Sequence, residues 1–168
     1  MQDKLREEIP YFEDQTNKFV PGKPIVERNL ATCIVYNPET DEVLCLKWNK
    51  FDWKTLVNGG VDEGEDLITA AKREIYEETG YKDVQFVTEI GKVRSRFYAA
   101  NKEENRVANA TGLIFELTTT EKDIVVDEEK EKHLPQWVKK DEVATYINID
   151  WQLYLWGKAL SAGLLMKQ

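Results

Sequence analysis

The sequence is poor in the residues on which several classes of protein depend. It has 2 cysteines and 1 histidine in 168 residues, too few for a disulfide-rich scaffold or for a zinc site built from those side chains. Its apolar runs are short, the best being Cys33 to Tyr36, whereas a membrane-spanning helix needs about 20 apolar residues. The charged start of the chain lacks the apolar stretch of a secretion signal. We therefore expect a cytoplasmic protein whose two cysteines are buried strand thiols.

Positive charge is also in short supply. The 23 lysines and arginines are outnumbered by 31 aspartates and glutamates, which gives a net charge of −8. Such a surface repels polyanions, so duplex nucleic acid is not an expected partner. The chain length and the hydrophobic share of 42% are nevertheless those of one folded domain with a substantial core.

The first 27 residues differ in character from the rest of the chain. Three of the 5 prolines, Pro10, Pro21 and Pro24, fall among them and disfavour a continuous helix. We expect an N-terminal extension over residues 1–27 that packs on the domain and contributes a short edge strand. A single domain over residues 28–168 follows.

Residues 28–168 alternate between patterns typical of strands and of helices. Two β-rich runs, 30–36 and 43–48, flank a polar turn and predict a hairpin. The acidic residues 121–131 are typical of a solvated loop. Such interleaving favours an α/β fold in which helices pack on a mixed sheet. The other predicted strands are 53–57, 84–87, 92–99, 112–117 and 137–138, and the predicted helices are 67–79, 141–146 and 151–167.

The predicted helix over residues 67–79 carries two carboxylates at positions where apolar residues belong. Its core-facing positions, spaced by three and four residues, include Glu74 and Glu78, which project side by side from one face. Two partly buried anions repel each other and need a partner. A hard divalent cation such as Mg²⁺ would serve, and the competing interpretation is a solvated, charge-rich helix. Spacing alone leaves both open.

Two neighbouring features extend this pattern. Gly59 and Gly60 precede the helix and offer unhindered backbone groups to a metal or a phosphate. Arg73 and Glu77 are four residues apart, so they can form an ion pair that fixes the helix.

The segment as a whole resembles a known signature. Gly59, five residues, Glu65, seven residues and then Arg73-Glu74-Ile75-x-Glu77-Glu78-x-Gly80 is similar to the motif of the Nudix hydrolases at each fixed position. The last position, aliphatic in that family, is Tyr81 here, and we expect this departure to affect packing rather than chemistry. The resemblance implies the α/β/α sandwich of MutT-like proteins. A weaker likeness points to Nudix domains that accompany bacterial leucyl-tRNA synthetases.

The resemblance also implies an activity and a metal site. Family members hydrolyse a nucleoside diphosphate linked to another group X and use Mg²⁺, for which Mn²⁺ can substitute. The expected partner is therefore a small nucleotide. By the same resemblance Glu74 and Glu78 would be the main metal ligands, with Glu77 as a further one. A backbone carbonyl of Asn58 or Gly59 would complete the set.

Other residues would support the reaction, again by resemblance. Glu65 would orient water or a ligand near the start of the helix, and Arg73 would brace the preceding loop. Water would attack phosphorus, with a glutamate of the motif as one candidate base. Glu129 and Glu131 stand where some family members supply that base, and Glu131 is also a candidate metal ligand; the competing interpretation for both is a solvated acidic loop.

Residues outside the motif would set the choice of substrate. Trp48, together with Phe51 and Trp53, could stack on a base, although core packing is the more common fate of tryptophan. Tyr98 lies 17 residues beyond the motif, about where some diadenosine polyphosphate hydrolases of the family carry a tyrosine. The candidate phosphate-binding cations are Arg28, Lys47, Arg94 and Arg96, of which the last two share one face of a predicted strand.

Several alternatives stay open on sequence grounds. A Nudix fold could act as a regulatory module that binds a nucleotide without hydrolysing it, although a pure binder would not need every carboxylate of the motif. An isomerase of isoprenoid diphosphates on this fold would need further histidines, and His133 is alone. Nucleophilic catalysis built on His133 is disfavoured because no serine lies in a Gly-x-Ser-x-Gly sequence. Hydrolysis of RNA 5′ ends and formation of a homodimer stay open.

Overall fold

The computed structural model describes residues 8–168, so the first seven residues of the expected extension lie outside the described part. The strands are β1 (Tyr11–Glu13), β2 (Ile25–Asn37), β3 (Glu42–Trp48), β4 (Lys54–Gly60), β5 (Val84–Ala99), β6 (Glu104–Leu117) and β7 (His133–Lys139). The helices are α1 (Leu67–Thr79), α2 (Asp127–Lys132), α3 (Val143–Tyr146) and α4 (Asp150–Ala162), and a 3₁₀ turn spans Lys140–Glu142.

The strands form one mixed sheet in the order β1-β5-β6-β2-β4-β3-β7. β2 runs parallel to β6 and antiparallel to β4. The predicted hairpin of β2 and β3 is correct only next to its turn, where Tyr36 pairs with Val43 and Asn37 with Glu42. Beyond those pairs β4 enters between the two strands, which places the Asn58–Gly60 end of β4 beside the centre of the sheet.

Helices cover both faces of this sheet. Along β2 the side chains of Cys33 and Val35 pack on the face that α1 covers, through Ile75. The alternate residue Ile34 packs on the opposite face with Trp156 of α4. This alternation follows from the period of two along a strand, and it confirms the α/β/α arrangement.

Helix α1 has the bounds that the sequence predicts. Asp66 caps its start, where the carboxylate accepts a hydrogen bond from the Thr69 amide at 3.1 Å. Gly80 ends it in the left-handed conformation at φ +82°, and a Cβ there would strike the backbone of Asp123. Ala71, Ile75 and Glu78 are buried, so the predicted core face is confirmed and includes a carboxylate.

Five predicted segments differ clearly from the structure. Predicted strands 84–87 and 92–99 are one strand, β5, that continues through two irregularities, the second between Glu89 and Gly91. β6 begins at Glu104 rather than at residue 112, because its polar first half is held by pairing with β5 and β2. The predicted acidic loop contains helix α2. α4 ends at Ala162 rather than at residue 167, since Gly163 takes a positive φ of 68°.

The N-terminal segment lies along the β5 edge of the sheet. β1 pairs with β5 in parallel, with Tyr11 opposite Arg94. The Arg94 guanidinium lies over the Tyr11 ring, and that of Arg96 lies 4.0 Å from the centre of the Phe19 ring. β2 begins at Ile25, three residues before the predicted start of the domain.

The remaining general expectations concern cysteine and membranes. Cys33 and Cys45 are free thiols buried in β2 and β3, as predicted, and burial raises the pKa of Cys45 to about 12. Within residues 8–168 the helices are too short or too polar to span a bilayer.

Candidate active site

An elongated cavity of about 760 Å³ opens beside α1, α2 and the ends of β4 and β5. Its volume falls within the range usual for small-molecule sites. One part of its wall is strongly acidic and includes the glutamates that the sequence singled out. The residues of this part are Trp48, Asn58, Gly59, Glu74, Glu77, Glu78, Glu128, Glu129, Glu131 and His133.

Glu78 is the most deeply buried of these carboxylates. Its side chain is 9% exposed, and its buried Oε2 has no hydrogen-bond partner among residues 8–168. Loss of solvation raises its pKa, and the nearby charges of Glu74 and Glu129 raise it further. A carboxylate held in this way gains more from a cation than an exposed one does.

Glu74 lies one helical turn earlier and packs against the backbone at the end of β4. A Cβ on Gly59 would overlap the Glu74 carboxylate, so glycine is needed at that position for steric reasons. Burial raises the pKa of Glu74, while its ion pair with Arg73 lowers it. Gly59 therefore leaves room for the Glu74 side chain of α1 to lie against the end of β4.

Arg73 braces the loop before α1, as the resemblance led us to expect. Its Nε and Nη2 donate to the two oxygens of Glu65, both at 2.8 Å, and its Nη1 donates to Glu74 at 2.8 Å. Further bonds run from Nη1 to Glu77 at 3.3 Å and from Nη2 to the Gly60 carbonyl at 3.0 Å. The paired carboxylates raise the pKa of Arg73.

Glu65 is occupied by this brace. Besides Arg73, the Asp62 amide donates to it at 3.1 Å, and these contacts lower the pKa of Glu65 to about 2. Glu65 also does not line the cavity that holds the other carboxylates. These contacts suit fixing the loop, and the expected orienting of water or of a ligand stays a prediction.

Helix α2 brings a second group of acidic side chains to the cavity. Glu129 Oε2 lies 3.7 Å from His133 Nε2, which lies 3.9 Å from Glu78 Oε1. Glu131 lines the same cavity but is exposed. The negative charge of Glu129 helps to raise the pKa of both Glu74 and Glu78. Glu129 is therefore the α2 carboxylate that interacts electrostatically with the α1 carboxylates. The interpretation of residues 121–131 as solvated loop is wrong at Glu129.

His133 is a site residue that sequence reasoning missed. Its ring is 2% exposed, burial lowers its pKa, and its Nδ1 has no hydrogen-bond partner. In the sequence, His133 is only a lone histidine directly after an acidic run. The pairing of His133 with Trp48, which places the histidine in the site, cannot be read from that local sequence.

Aromatic side chains form the wall next to His133. The Trp48 ring meets the His133 ring edge-on at 4.9 Å, and it meets the Trp53 ring in the same way at 5.3 Å. Phe51 stacks on Trp53 at 4.5 Å. All three aromatic residues line the cavity, and a role of Trp48 in binding substrate stays a prediction. Tyr81, by contrast, packs on Trp137 and accepts its indole hydrogen bond at 3.0 Å.

The predicted phosphate-binding cations lie elsewhere. Arg94 and Arg96 share one face of β5, as predicted, but they pack on the N-terminal segment and are not part of the cavity wall. Tyr98 is likewise outside the wall. Arg28 lies behind the loop, 3.8 Å from Asp62, and lines a separate shallow hollow. The physical reason is alternation: Phe97 faces the cavity, so its neighbours on β5 point to the other face.

A different arginine does reach the cavity. Arg106, on the polar first half of β6, lines it together with Asp14, Phe97 and Trp151. The sequence prediction missed Arg106 because it began this strand at residue 112.

The donor set at the acidic end suits a hard divalent cation, although no closed cluster is preformed. Among residues 8–168 no three acidic, histidine or cysteine side chains converge in the geometry of a complete metal site. The donors are nevertheless carboxylate oxygens, and the Oε2 of Glu78 is buried and unpartnered. Mg²⁺ is commonly held by one or two carboxylates and completes its shell with water and substrate phosphates. The residues present fit that open kind of site.

Comparison with known proteins shows the family to which this chain belongs. A model of the NUDIX domain matches residues 27–157. The chain belongs to the Nudix family. One relative within it, an RNA pyrophosphohydrolase of Bartonella henselae, is 37% identical over 68 residues, which are 40% of this chain and 34% of the relative. Another, the nucleoside triphosphatase NudI of Salmonella paratyphi B, is 33% identical over 95 residues, which are 54% of this chain and 64% of the relative.

A solved structure agrees with the Nudix fold. The dihydroneopterin triphosphate pyrophosphohydrolase of E. coli superposes with a TM-score of 0.61 at 17% sequence identity, over 82% of this chain and 99% of that protein. The curated relatives are matched over about one third and just under two thirds of their lengths. The similarity to the solved structure covers 82% of this chain and concerns the fold that positions the acidic site.

Proposed function

We propose that this Nudix protein is a Mg²⁺-dependent hydrolase that cleaves a diphosphate linkage in a nucleoside diphosphate linked to another group X. Water attacks phosphorus in this reaction. The relatives described above, an RNA pyrophosphohydrolase and a nucleoside triphosphatase, support this class of substrate.

The observation that carries the proposal is the state of Glu78. A carboxylate buried beside Glu74, with one oxygen unpartnered, is unfavourable unless a cation compensates it. A protein that only had to fold would be better served by an apolar residue at this core position. The pair therefore points to a ligand that carries positive charge, with Mn²⁺ as a substitute for Mg²⁺.

The glutamates that the sequence singled out have these places in the proposed site. Glu74 and Glu78 bind the cation, and Glu77, Glu131 and the backbone of Asn58 or Gly59 are candidate further ligands, since all line the same cavity. When bound, the cation screens the phosphate oxygens and acidifies water.

The remaining residues prepare the reaction around that centre. Arg73 and Glu65 hold the loop against α1, so that the carboxylates stay in register. Glu129 is our candidate for the base that takes the proton from the attacking water, because it faces Glu78 and His133 across the cavity. Trp48 closes the wall next to His133 and offers the substrate an aromatic surface at the acidic end of the cavity.

The test is release of phosphate or pyrophosphate from a panel of nucleotide sugars, dinucleoside polyphosphates, ADP-ribose, NADH and nucleoside triphosphates. We expect turnover of one class with Mg²⁺ and loss of turnover with EDTA. The matched control is Glu63→Gln, which removes an exposed carboxylate from the same loop and should leave turnover unchanged. Tight nucleotide binding without turnover would instead support the regulatory module.

A further inference from the structure

The cavity extends well beyond the acidic residues. On β2, Ala31 pairs with Gly59 at the acidic end, whereas Val26 pairs with Arg106. These two positions on β2 are five residues apart, which corresponds to roughly 16 Å along a strand. A diphosphate group and its cation fill only the acidic part of such a cavity. The far end therefore has to accommodate another portion of the substrate.

Arg106 is one of several polar residues at this far end, beside Asp14, Lys102 and Glu103. Its side chain is 13% exposed and forms an ion pair with Glu104. Within residues 8–168 its buried Nε–H has no hydrogen-bond partner. Buried donors are nearly always paired in folded proteins, and this donor belongs to a side chain that lines the cavity. The orphaned donor is thus available to an acceptor atom of a bound ligand.

A flat apolar surface lies directly beside this donor. Phe97 is the cross-strand partner of Arg106 in the β5–β6 pair, and side chains opposite each other there share one face, with Cβ atoms about 5 Å apart. The Phe97 ring is nearly parallel to the Trp151 ring, with an angle of 17° and 6.5 Å between centroids. Phe97 is only partly buried, so part of its ring is open to a ligand.

The charged side chains that line this end balance one another, with Asp14 and Glu103 acidic and Lys102 and Arg106 basic, so no net positive charge favours an anion. Glu104 already balances Arg106. Asp14 also lines the far end, and its buried carboxylate accepts hydrogen bonds from the Thr16 and Asn17 amides. A second phosphate would face these carboxylates, whereas an uncharged acceptor would satisfy the Nε–H without repulsion.

We propose that Arg106, Phe97, Trp151 and Asp14 form a distal subsite that binds an uncharged planar heterocycle, the nucleobase of the substrate. The heterocycle lies against Phe97, and a ring carbonyl or ring nitrogen on its edge accepts a hydrogen bond from Arg106 Nε. Arg106 is then a specificity-determining residue, and the N-terminal segment contributes part of the wall through Asp14. The identification of the heterocycle as the substrate's base rests on the proposed hydrolase function.

The experiment compares binding of small probes to the full chain by calorimetry. The probes are the four common nucleoside 5′-monophosphates, and ribose 5-phosphate serves as the matched probe without a base. The key variant is Arg106→Lys, which keeps a positive partner for Glu104 but lacks the planar guanidinium edge. Arg94→Lys is the matched control, since it makes the same change on the neighbouring strand outside the cavity.

We expect at least one monophosphate to bind more tightly than ribose 5-phosphate. Arg106→Lys should weaken that binding by about tenfold or more, as loss of a charge-assisted hydrogen bond does, and should leave ribose 5-phosphate unaffected. Arg94→Lys should change neither. Thermal unfolding of each variant shows that it is folded, and a second variant, Phe97→Leu, should weaken the same monophosphate while leaving Arg106 in place.

Three results would overturn the subsite. They are equal weakening of ribose 5-phosphate and the monophosphates, unchanged binding in both variants, or no preference of the wild-type chain for a base. Failure of the hydrolase proposal looks different, because selective binding through Arg106 would persist while the substrate panel stayed uncleaved. Conversely, hydrolysis at equal rates whatever the base would support the hydrolase proposal and overturn the proposed subsite.

Discussion

Glu65 and Glu78 lie in the same loop and helix, yet their surroundings are opposite. Glu65 receives two hydrogen bonds from Arg73 and one from the Asp62 amide, and its pKa falls to about 2. Glu78 is buried with one oxygen unpartnered, and its pKa is raised. The motif thus contains two kinds of acidic residue. One kind is satisfied by the protein and fixes the backbone, and the other is left for a ligand.

Contact with Arg73 distinguishes the two kinds of acidic residue. Its guanidinium contacts Glu65, Glu74 and Glu77, so Glu74 is partly satisfied while Glu78, one turn further along α1, is not. The difference predicts that substitutions at these positions affect turnover and stability in different proportions.

The largest effect is expected for Glu78→Gln. The substitution nearly keeps the shape of the side chain but removes its charge, and metal-assisted stabilisation of a phosphoryl transition state is worth several kcal/mol. We expect kcat to fall by roughly 10²- to 10⁴-fold and the rise in Tm produced by Mn²⁺ to disappear. A Glu78→Gln protein with wild-type turnover would falsify the metal assignment. Glu63→Gln is the control for loss of a carboxylate in general.

Arg73→Lys should have a smaller effect on turnover and a clear effect on stability. Lysine keeps the charge but cannot make the forked contacts to Glu65 and Glu74, so the loop should loosen and the carboxylates should lose their register. We expect kcat to fall by about 10- to 100-fold, as displacement of a reacting group does, and Tm to fall as well. Lys72→Arg, an exposed neighbour on α1, should change neither quantity. Reduced Tm with full turnover would show that the brace does not position the site.

The pH dependence of stability should distinguish the two carboxylates in protein kept free of metal by EDTA. The folded-state pKa of Glu65 lies below its ordinary value of 4.5, so its stabilising contribution is present above that pH and is lost as the pH falls towards 2. The folded-state pKa of Glu78 is raised above 4.5. The contribution of Glu78 to the stability of the fold is therefore most favourable below pH 4.5, and it is lost as the pH rises through the folded-state pKa.

Melting curves of two variants test this difference. Glu65→Gln should lower Tm at pH 7, and this effect should shrink below pH 4.5 and disappear only as the pH approaches 2. Glu78→Gln should raise Tm at pH 8 and have little effect near pH 4. If both variants shift Tm in the same direction at pH 8, the contrast between the two environments is incorrect.

The acidic half of the site could be predicted because it is local in sequence. Glu74 and Glu78 belong to one helix, and the period of that helix is enough to place both on its buried face. Gly59 and Gly60 were predicted from the same short segment as unhindered backbone next to the helix, and the structure places Gly59 against Glu74. The bounds of α1 were predicted correctly for the same reason, since Asp66 and Gly80 are local capping signals.

The rest of the cavity depends on strand pairing across long sequence separations. Arg106 enters through the parallel pairing of β6 with β2, and His133 enters through the pairing of β7 with β3. Neither pairing leaves a signal in the sequence around those residues. Their contribution to the site could be assigned only after the sheet order was known.

The smallest effect is expected for the arginines that the sequence favoured as phosphate partners. Alternation along β5 correctly predicts that Arg94 and Arg96 share a face, but not which face borders the cavity. Arg94 contacts Asn109, Glu27 and the ring of Tyr11, and it is half exposed.

We therefore expect Arg94→Gln to change kcat/KM by less than about twofold, since the lost contacts are surface interactions worth little. The measurement uses the best substrate of the panel, beside Arg106→Lys under the same conditions. A loss of tenfold or more in Arg94→Gln would mean that the substrate extends over the N-terminal segment. The boundary of the site would then move from the Phe97 face of β5 to the face that carries Arg94.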